Sequence, residues 1–185
     1  MYSFKFGNEN GSGIGLASAI EDVNRWGGTL DISSKSNTGT VIEISIPKSE
    51  DNYLFPTSLT FVPEMTVVVV DDDPLVHRIW ENKFAHSELM KNSIKVLHGK
   101  TVRTAKRIIS ELEKSGEDYM LLIDNDLKHT AIRGIDFVEK MKLESKSILV
   151  TSNGNSNLLY EKCSQINLLI IPKSIQEHIS IEICV

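Results

Sequence analysis

Acidic residues follow two apolar runs of the sequence, at the positions where buried strands would end. The two groups are Asp71, Asp72 and Asp73 after TVVVV (66–70), and Asp124 and Asp126 after YMLLI (119–123). Carboxylates that lie close together repel one another and raise one another's pKa, so a cluster of this kind persists best around a hard cation. Mg²⁺ is the natural candidate, because its preferred ligands are oxygens from carboxylates, water and phosphate.

Two further apolar runs lead to groups that could bind a phosphoryl group. SILVT ends at Thr151, and NLLII is followed closely by Lys173. A lysine supplies compact positive charge and a threonine supplies a hydroxyl donor, which a phosphoryl group in transfer requires. The sequence therefore predicts a crevice in which a metal ion and a phosphoryl group meet.

These runs belong to a regular alternation of strand-like and helix-like patterns. The five apolar runs are 66–70, 93–98, 119–123, 147–151 and 167–171. Between them, apolar residues recur as on the buried face of an amphipathic helix. The alternation predicts βα units and a parallel sheet buried on both faces, hence a doubly wound five-stranded α/β domain. Ligands of such sheets bind outside the carboxyl ends of the strands, where all of these polar residues would lie.

The composition argues against several classes of function. A net charge of -5 provides no basic surface for nucleic acid, so none is expected as a partner. Cys163 and Cys184 lie in no metal-binding or disulfide pattern, which suits a reducing compartment and predicts a cytoplasmic location. No apolar run approaches the roughly 18 residues of a membrane span, so this chain is expected to make no membrane contact.

A change in composition divides the chain into two unequal parts. Residues 49–64 are polar, contain prolines and show no sustained period, which predicts a linker. The linker separates a small part, residues 1–48, from the larger part, residues 65–185. All of the acidic residues discussed above lie in the larger part.

The larger part resembles the receiver domain of two-component response regulators, which has a flavodoxin-like fold. The resemblance rests on VVVVDDDP, LLIDNDL, LVTS and IPKS, in that order. It implies phosphorelay signalling, in which a histidine kinase or histidine phosphotransfer protein donates a phosphoryl group in the presence of Mg²⁺. Whether the chain also forms a homodimer is left open by the resemblance. The resemblance implies that Asp124 is the phosphoacceptor, that Asp72 binds the metal directly, and that Asp71 is the outer acidic partner. It also implies that Asp126 binds the metal through its backbone carbonyl. Thr151 would then contact the phosphoryl group, and Lys173 would pair with it.

The sequence also departs from the receiver pattern. Leu127 and Lys128 replace the usual methionine and proline after the acceptor, and Ile170 stands where an aromatic switch residue is expected. Ser174 replaces the common proline after the lysine. Only twelve residues follow Lys173, so the fifth helix is expected to be short or missing.

The small part has a glycine-rich segment before a helical pattern. Gly11, Gly13 and Gly15 precede the helix, and two strands are predicted around Asn37 to Gly39, giving a small α+β fragment of helix plus β-hairpin. Glycines at a helix amino terminus let backbone amides approach a phosphate.

This part resembles the last third of the ATP-binding domain of sensor histidine kinases. The resemblance implies that the three glycines are vestigial residues of the ATP lid. The kinase tail followed by a receiver is the order of a hybrid histidine kinase, with Met1 expected as an internal or artificially introduced start; a truncated reading frame stays open. The upstream adenine-binding elements cannot fit into ten residues, so residues 1–48 are not expected to bind ATP, and enzyme activity of the chain itself stays open.

Three functions are compatible with these sequence features. The first is a phosphoacceptor receiver. The second is a haloacid-dehalogenase-like phosphatase, which DNDLK, LVTSNG and Lys173 imitate; that family places its acidic pair after the lysine, whereas Asp71 and Asp72 come before it. The third is a binding module that kept the fold and lost phosphorylation. The first is favoured, because it accounts for all four motifs in order.

Overall fold

The computed structural model describes residues 14–47, 54–86, 93–128, 132–154 and 156–184. The chain divides into two compact units, residues 1–51 and 52–185. Each unit is described separately below.

The first unit contains one helix and one hairpin, as the sequence predicts. Helix α1 spans Ile14–Arg25, and strands β1 (Thr29–Lys35) and β2 (Gly39–Ser45) pair antiparallel. The helix is followed by Gly27 at φ 74, and the hairpin turn contains Asn37 at φ 63, which are left-handed conformations suited to glycine and asparagine. Residues that tolerate left-handed conformations therefore lie where the helix ends and where the hairpin turns.

The second unit is built on a five-stranded parallel sheet. Its strands in chain order are β4 (Thr66–Val70), β5 (Lys95–Gly99), β6 (Tyr119–Asp124), β7 (Ser147–Thr151) and β8 (Leu169–Pro172). The spatial order is β5-β4-β6-β7-β8, which is the flavodoxin-like order of a doubly wound sheet. The predicted fold class is confirmed, and the predicted strand positions differ from the observed ones by a few residues at most.

In the described part of the second unit, four helices pack on the sheet: α2 (Pro74–Phe84), α3 (Val102–Ser115), α4 (Gly134–Met141) and α5 (Asn157–Gln165). Helix α2 begins at a local signal, since the Asp73 side chain accepts a hydrogen bond from the Leu75 amide at 2.8 Å and Pro74 occupies the first helical position. Asp73 is thus a helix cap. Among the described helices, none has the length and apolar character needed to cross a lipid bilayer.

The sheet separates two hydrophobic clusters, and strand β4 contributes to both. Val68 and Val70 pack in one cluster, and Val67 and Val69 pack in the other. Alternate residues of a strand point to opposite faces, so a continuous run of valines is what a strand buried on both sides requires. The first cluster contains residues of α3, α4 and α5, while the second contains α2.

The face shared with α2 is completed by a second small sheet. Strand β3 (Ser58–Phe61) pairs in parallel with β9 (Ser180–Ile183), near the end of the chain. Between Lys173 and β9 the chain forms only a short 3₁₀ turn, Gln176–His178, so the expected loss of a full fifth helix is confirmed for these described residues.

The segment predicted as a linker therefore contains part of the second unit. Leu59 and Phe61 of β3 are buried in the cluster with α2, and Leu54 is fully buried. The Leu54 carbonyl also accepts a hydrogen bond from the Ile170 amide at 2.7 Å. Strand β3 has only four residues, of which two are apolar, and this alternation is too short to be recognised within a polar segment. The sequence pattern therefore predicted a linker here.

Replacing Phe61 with alanine tests whether β3 belongs to the folded domain. Phe61 is 1% exposed and packs edge-on against Phe84 with ring centroids 5.2 Å apart. The Phe61→Ala variant should lose about 3–5 kcal/mol of unfolding free energy, as buried phenylalanines do. Urea denaturation of the full chain measures the loss.

The exposed neighbour on the same strand, Thr60, is the matched control. Thr60→Ala should change the unfolding free energy by no more than about 0.5 kcal/mol. Equal effects of the two substitutions would mean that β3 does not pack on the sheet.

Candidate functional site

The register of the sheet brings the predicted site residues to one edge. Val70 pairs with Gly99 and Ile123, Asp124 pairs with Val150, and Thr151 pairs with Pro172. Because the strands are parallel, the residues that follow them emerge on the same side. The side chains of Asp71, Asp124 and Lys173, which lie far apart in sequence, consequently meet.

Asp71 is the most deeply buried acid at this edge. It is 1% exposed, and its Oδ1 accepts a hydrogen bond from the Asp73 amide at 2.8 Å. Its Oδ2 lies 2.7 Å from Lys173 Nζ, within ion-pair distance. Both oxygens of this buried carboxylate are therefore engaged, one by a backbone amide and the other by an ammonium.

Lys173 connects two carboxylates. Its Nζ lies 2.7 Å from Asp71 Oδ2 and 3.3 Å from Asp124 Oδ1, and its backbone amide donates to the Thr151 carbonyl at 2.9 Å. Burial alone would lower the pKa of Lys173, but the hydrogen bonding and charge of Asp71 and Asp124 outweigh it and raise that pKa above its ordinary value. Lys173 is therefore a permanent ammonium at the site.

Asp124 is buried, and its charged form is disfavoured. Removal from water is the largest cause and raises the pKa of the Asp124 carboxyl; the nearby Asp71 charge raises it further, and Lys173 offsets only part of the effect. The metal-free site thus holds a carboxylate that would gain from additional positive charge.

Asp72 is more accessible, with a side chain 20% exposed, and is paired with a different lysine. Lys128 Nζ lies 3.1 Å from Asp72 Oδ2, and the Lys128 amide donates to Asp72 Oδ1 at 3.4 Å. Burial raises the pKa of Asp72, but the hydrogen bonds and charge of Lys128 outweigh it and hold the pKa below its ordinary value.

The donor set fits a hard divalent cation. One oxygen each from Asp71, Asp72 and Asp124 lies within 4.8 Å of the others. Opposite ligands of Mg²⁺ are ~4.2 Å apart, twice the usual metal–oxygen distance, so small side-chain rotations bring all three within reach of one ion.

The side chain of Asp126 is engaged elsewhere. Its Oδ2 accepts from Asn153 Nδ2 at 2.9 Å and its Oδ1 from Asn125 Nδ2 at 3.3 Å, so it joins the loops after β6 and β7. That the Asp126 backbone carbonyl binds a metal remains a prediction. Asn153 is a residue that the strand-end pattern did not single out.

Thr151 is fully buried at the end of β7. Its Oγ1 accepts a hydrogen bond from the Asn153 amide at 3.1 Å, a local turn that fixes the side chain at the strand end. The hydroxyl hydrogen is not used in that bond, so Thr151 can still donate. Its contact with a phosphoryl group stays a prediction.

Gly134 lets the loop after β6 approach Asp124 closely. Its amide donates to the Asn125 carbonyl at 2.9 Å, and a Cβ atom at this position would collide with the Asp124 carbonyl oxygen. Close backbone approach explains why a glycine begins α4 here. The sequence pattern does not indicate this contact.

A histidine pair lies behind Asp71, with His77 buried and the His98 side chain partly exposed. His77 Nε2 donates to the Asp71 carbonyl oxygen at 2.7 Å. The Nδ1 atoms of His77 and His98 lie 2.8 Å apart, and His98 Nε2 lies 2.9 Å from Glu81 Oε1. Helix α2 and strand β5 are thereby tied to the backbone of the acid cluster.

Of the three glycines predicted to be vestigial ATP-lid residues, Gly11 and Gly13 lie outside the described residues. Gly15 is in the first turn of α1 and is exposed, and a Cβ atom added there would meet nothing within 4 Å. A role for these glycines in nucleotide binding remains a prediction.

Comparisons with known proteins gave matches among solved structures. No protein-family model and no curated protein matches this sequence. The receiver domain of a histidine kinase from Arabidopsis thaliana, complexed with Mg²⁺ and BeF₃⁻, is similar at 18% identity and TM-score 0.45, over 60% of this chain and 82% of that chain.

Two bacterial structures are similar to the same extent. They are the isolated receiver domain of RcsB from Salmonella enterica serovar Typhimurium, in the presence of BeF₃⁻ (18% identity, TM-score 0.46, 60% of this chain and 78% of that chain), and the response regulator domain of CheB from Thermotoga maritima (16%, 0.41, 59% and 78%). The fold of the second unit is defined by its own strand order, β5-β4-β6-β7-β8.

The raised pKa of Asp124 makes a prediction about stability. A carboxyl whose pKa is higher in the folded than in the unfolded state favours folding below its ordinary pKa of 3.8, and that contribution is lost as the pH rises through the folded value. At neutral pH without metal, ionised Asp124 therefore destabilises the fold. Asp124→Asn should raise the unfolding free energy at pH 7, and the gain should shrink as the pH falls toward 3.8.

Urea titrations in chelator at several pH values measure this difference. Asp118→Asn, which removes one exposed charge, is the control and should change the unfolding free energy by no more than about 0.5 kcal/mol. A loss of stability in Asp124→Asn at pH 7 would show that the Lys173 pair outweighs burial.

Proposed function

We propose that the second unit is a phosphoacceptor receiver module of a two-component phosphorelay, with Asp124 as the acceptor. One observation carries the proposal: the Lys173 ammonium lies beside both Asp71 and Asp124, while an oxygen of Asp72 completes a three-carboxylate cluster. A nucleophile, a cation-binding pair of acids and a fixed positive charge are the parts that phosphoryl transfer to a carboxylate requires.

Each residue has a role that its position supports. Asp71 and Asp72 would bind Mg²⁺ together with Asp124. The ion, when bound, supplies positive charge that neutralises phosphoryl oxygens and favours the ionised form of Asp124. Lys173 would pair with a phosphoryl oxygen, and the Thr151 hydroxyl would donate to another.

The transfer step follows from these roles. A carboxylate oxygen of Asp124 attacks the phosphorus of a phosphohistidine in a donor protein, forming a P–O bond. The P–N bond breaks, and its electron pair returns to the imidazole, which takes a proton from water. The donor supplies the reactive phosphoryl group, and this chain supplies charge and orientation.

The proposal extends to the setting of the domain. The phosphodonor would be a histidine kinase or a histidine phosphotransfer protein, and the domain would work in the cytoplasm. The first unit would be the end of a kinase ATP-binding domain, with the chain belonging to a hybrid histidine kinase. The helix followed by a hairpin is consistent with that origin.

The C-terminal region favours a second candidate, a phosphorylation-independent binding module. Strand β9 occupies the region where the resemblance implies a fifth helix, and Ile170, at the position of the aromatic switch, is 1% exposed in the core. A buried isoleucine cannot change between inward and outward positions as a switch would. A domain of this kind could bind a partner without responding to phosphate.

Phosphorylation by a small donor distinguishes the candidates. With acetyl phosphate and Mg²⁺, the full chain should incorporate phosphate to a stoichiometry approaching one, detectable by intact mass. Asp124→Asn should reduce incorporation to background, because the nucleophile is lost. Asp126→Asn, two residues away, should retain most of it, since its side chain contacts the amides of Asn125 and Asn153 and not the lysine.

The outcomes separate the functions. Equal loss in both variants would show that Asp124 is not the acceptor. No incorporation into the wild type would favour the binding module, and turnover of phosphate monoesters would favour a phosphatase.

Metal binding provides a separate check on Asp72. Asp72→Ala should weaken Mg²⁺ affinity by about tenfold or more, as the loss of a carboxylate near a metal commonly does. NMR chemical-shift titration with MgCl₂ measures the affinity. Unchanged affinity would remove Asp72 from the site.

A further inference from the structure

Lys128 occupies the accessible side of the acid cluster. Its ammonium lies 3.1 Å from Asp72 Oδ2, and its own amide approaches Oδ1 of the same carboxylate at 3.4 Å. Both oxygens of Asp72 are thus engaged by one residue. By contrast, Asp71 Oδ2 and Asp124 Oδ1 both pair with Lys173.

The two lysines at the site differ in how firmly they are held. The Lys173 side chain is 18% exposed and lies between two buried carboxylates, whereas the Lys128 side chain is 75% exposed and pairs with Asp72 alone among its described ion pairs. An exposed lysine on a flexible stem loses little when it leaves a single carboxylate for water. Lys173 is a fixed part of the site, and Lys128 is a removable one.

The charges at the site indicate what Lys128 does. Asp71, Asp72 and Asp124 provide three carboxylates within 4.8 Å of one another, and Lys173 compensates part of that charge. Without a metal ion, Lys128 provides a second positive charge at Asp72. Because Lys128 engages both oxygens of Asp72, a divalent ion that binds this carboxylate has to displace one of these contacts and meets the repulsion of the ammonium.

We propose that Lys128 is a tethered counter-cation, which neutralises Asp72 in the metal-free site and competes with Mg²⁺ for that carboxylate. This inference rests on the proposed function only in taking the acid cluster to be a Mg²⁺ site. Lys128 therefore sets how much Mg²⁺ the domain needs. When Mg²⁺ binds, the ammonium leaves Asp72 for solvent, to which the Lys128 side chain is already 75% exposed.

Replacing the ammonium with an apolar side chain of similar length tests the competition. Lys128→Met keeps the backbone amide contact and removes the charge. Its Kd for Mg²⁺ should be about two- to fivefold lower than that of the wild type, the size expected for a largely exposed ion pair. Amide chemical shifts followed during MgCl₂ titration at constant ionic strength give both values.

Two further variants separate the local contact from general electrostatics. Lys106→Met, on the exposed surface of α3, changes the net charge equally and should bind Mg²⁺ with wild-type affinity within a factor of about 1.5. Lys128→Arg keeps the charge and should stay close to wild type. In the absence of Mg²⁺, circular dichroism checks that all variants fold.

The outcomes distinguish this inference from the proposed function. Tighter binding in Lys128→Met with unchanged binding in Lys106→Met supports it. Equal Kd values for Lys128→Met and wild type, with Asp72→Ala still impaired, would overturn the competition while leaving the metal site intact. If no variant binds Mg²⁺, both this inference and the metal site are wrong.

Discussion

The ammonium of Lys173, set between the carboxylates of Asp71 and Asp124, is the interaction on which the rest of the site depends. Two buried acids at this distance would otherwise repel each other, and their ionised forms would be lost. Lys173 keeps them together but does not neutralise the whole cluster, since the pKa of Asp124 remains raised. The site is therefore poised to accept further positive charge.

The scaffold explains how these groups reach one another. Parallel strands present their carboxyl ends at one edge, and the valines of β4 keep that strand between two hydrophobic clusters. Behind the edge, His77 and His98 fix the backbone of Asp71, and Gly134 lets the next loop approach Asp124. Rigid support of this kind is what a transfer site needs, because misplaced reactive groups lose most of the benefit of proximity.

Much of this could be predicted from the sequence, for a physical reason. Strand ends on a parallel sheet converge whatever the loops do, so the meeting of Asp71, Asp124 and Lys173 followed from pattern alone. Contacts that depend on loop conformation did not follow. The pairing of Lys128 with Asp72, the bond from Asn153 to Asp126 and the histidine pair join residues whose spacing has no period. Strand β3 did not follow from the pattern either, because its four residues show too short an alternation and its partner β9 is distant in sequence.

That pairing has a consequence for how the domain is made. Strand β3 precedes all five strands of the large sheet, whereas its hydrogen-bonding partner β9 follows all five of them. Until β9 has been synthesised, the side of the sheet next to α2 lacks part of its cover, and apolar residues there face water. Non-local pairings of this kind close late and slow folding. The nascent second unit thus carries an open hydrophobic flank until β9 has left the ribosome.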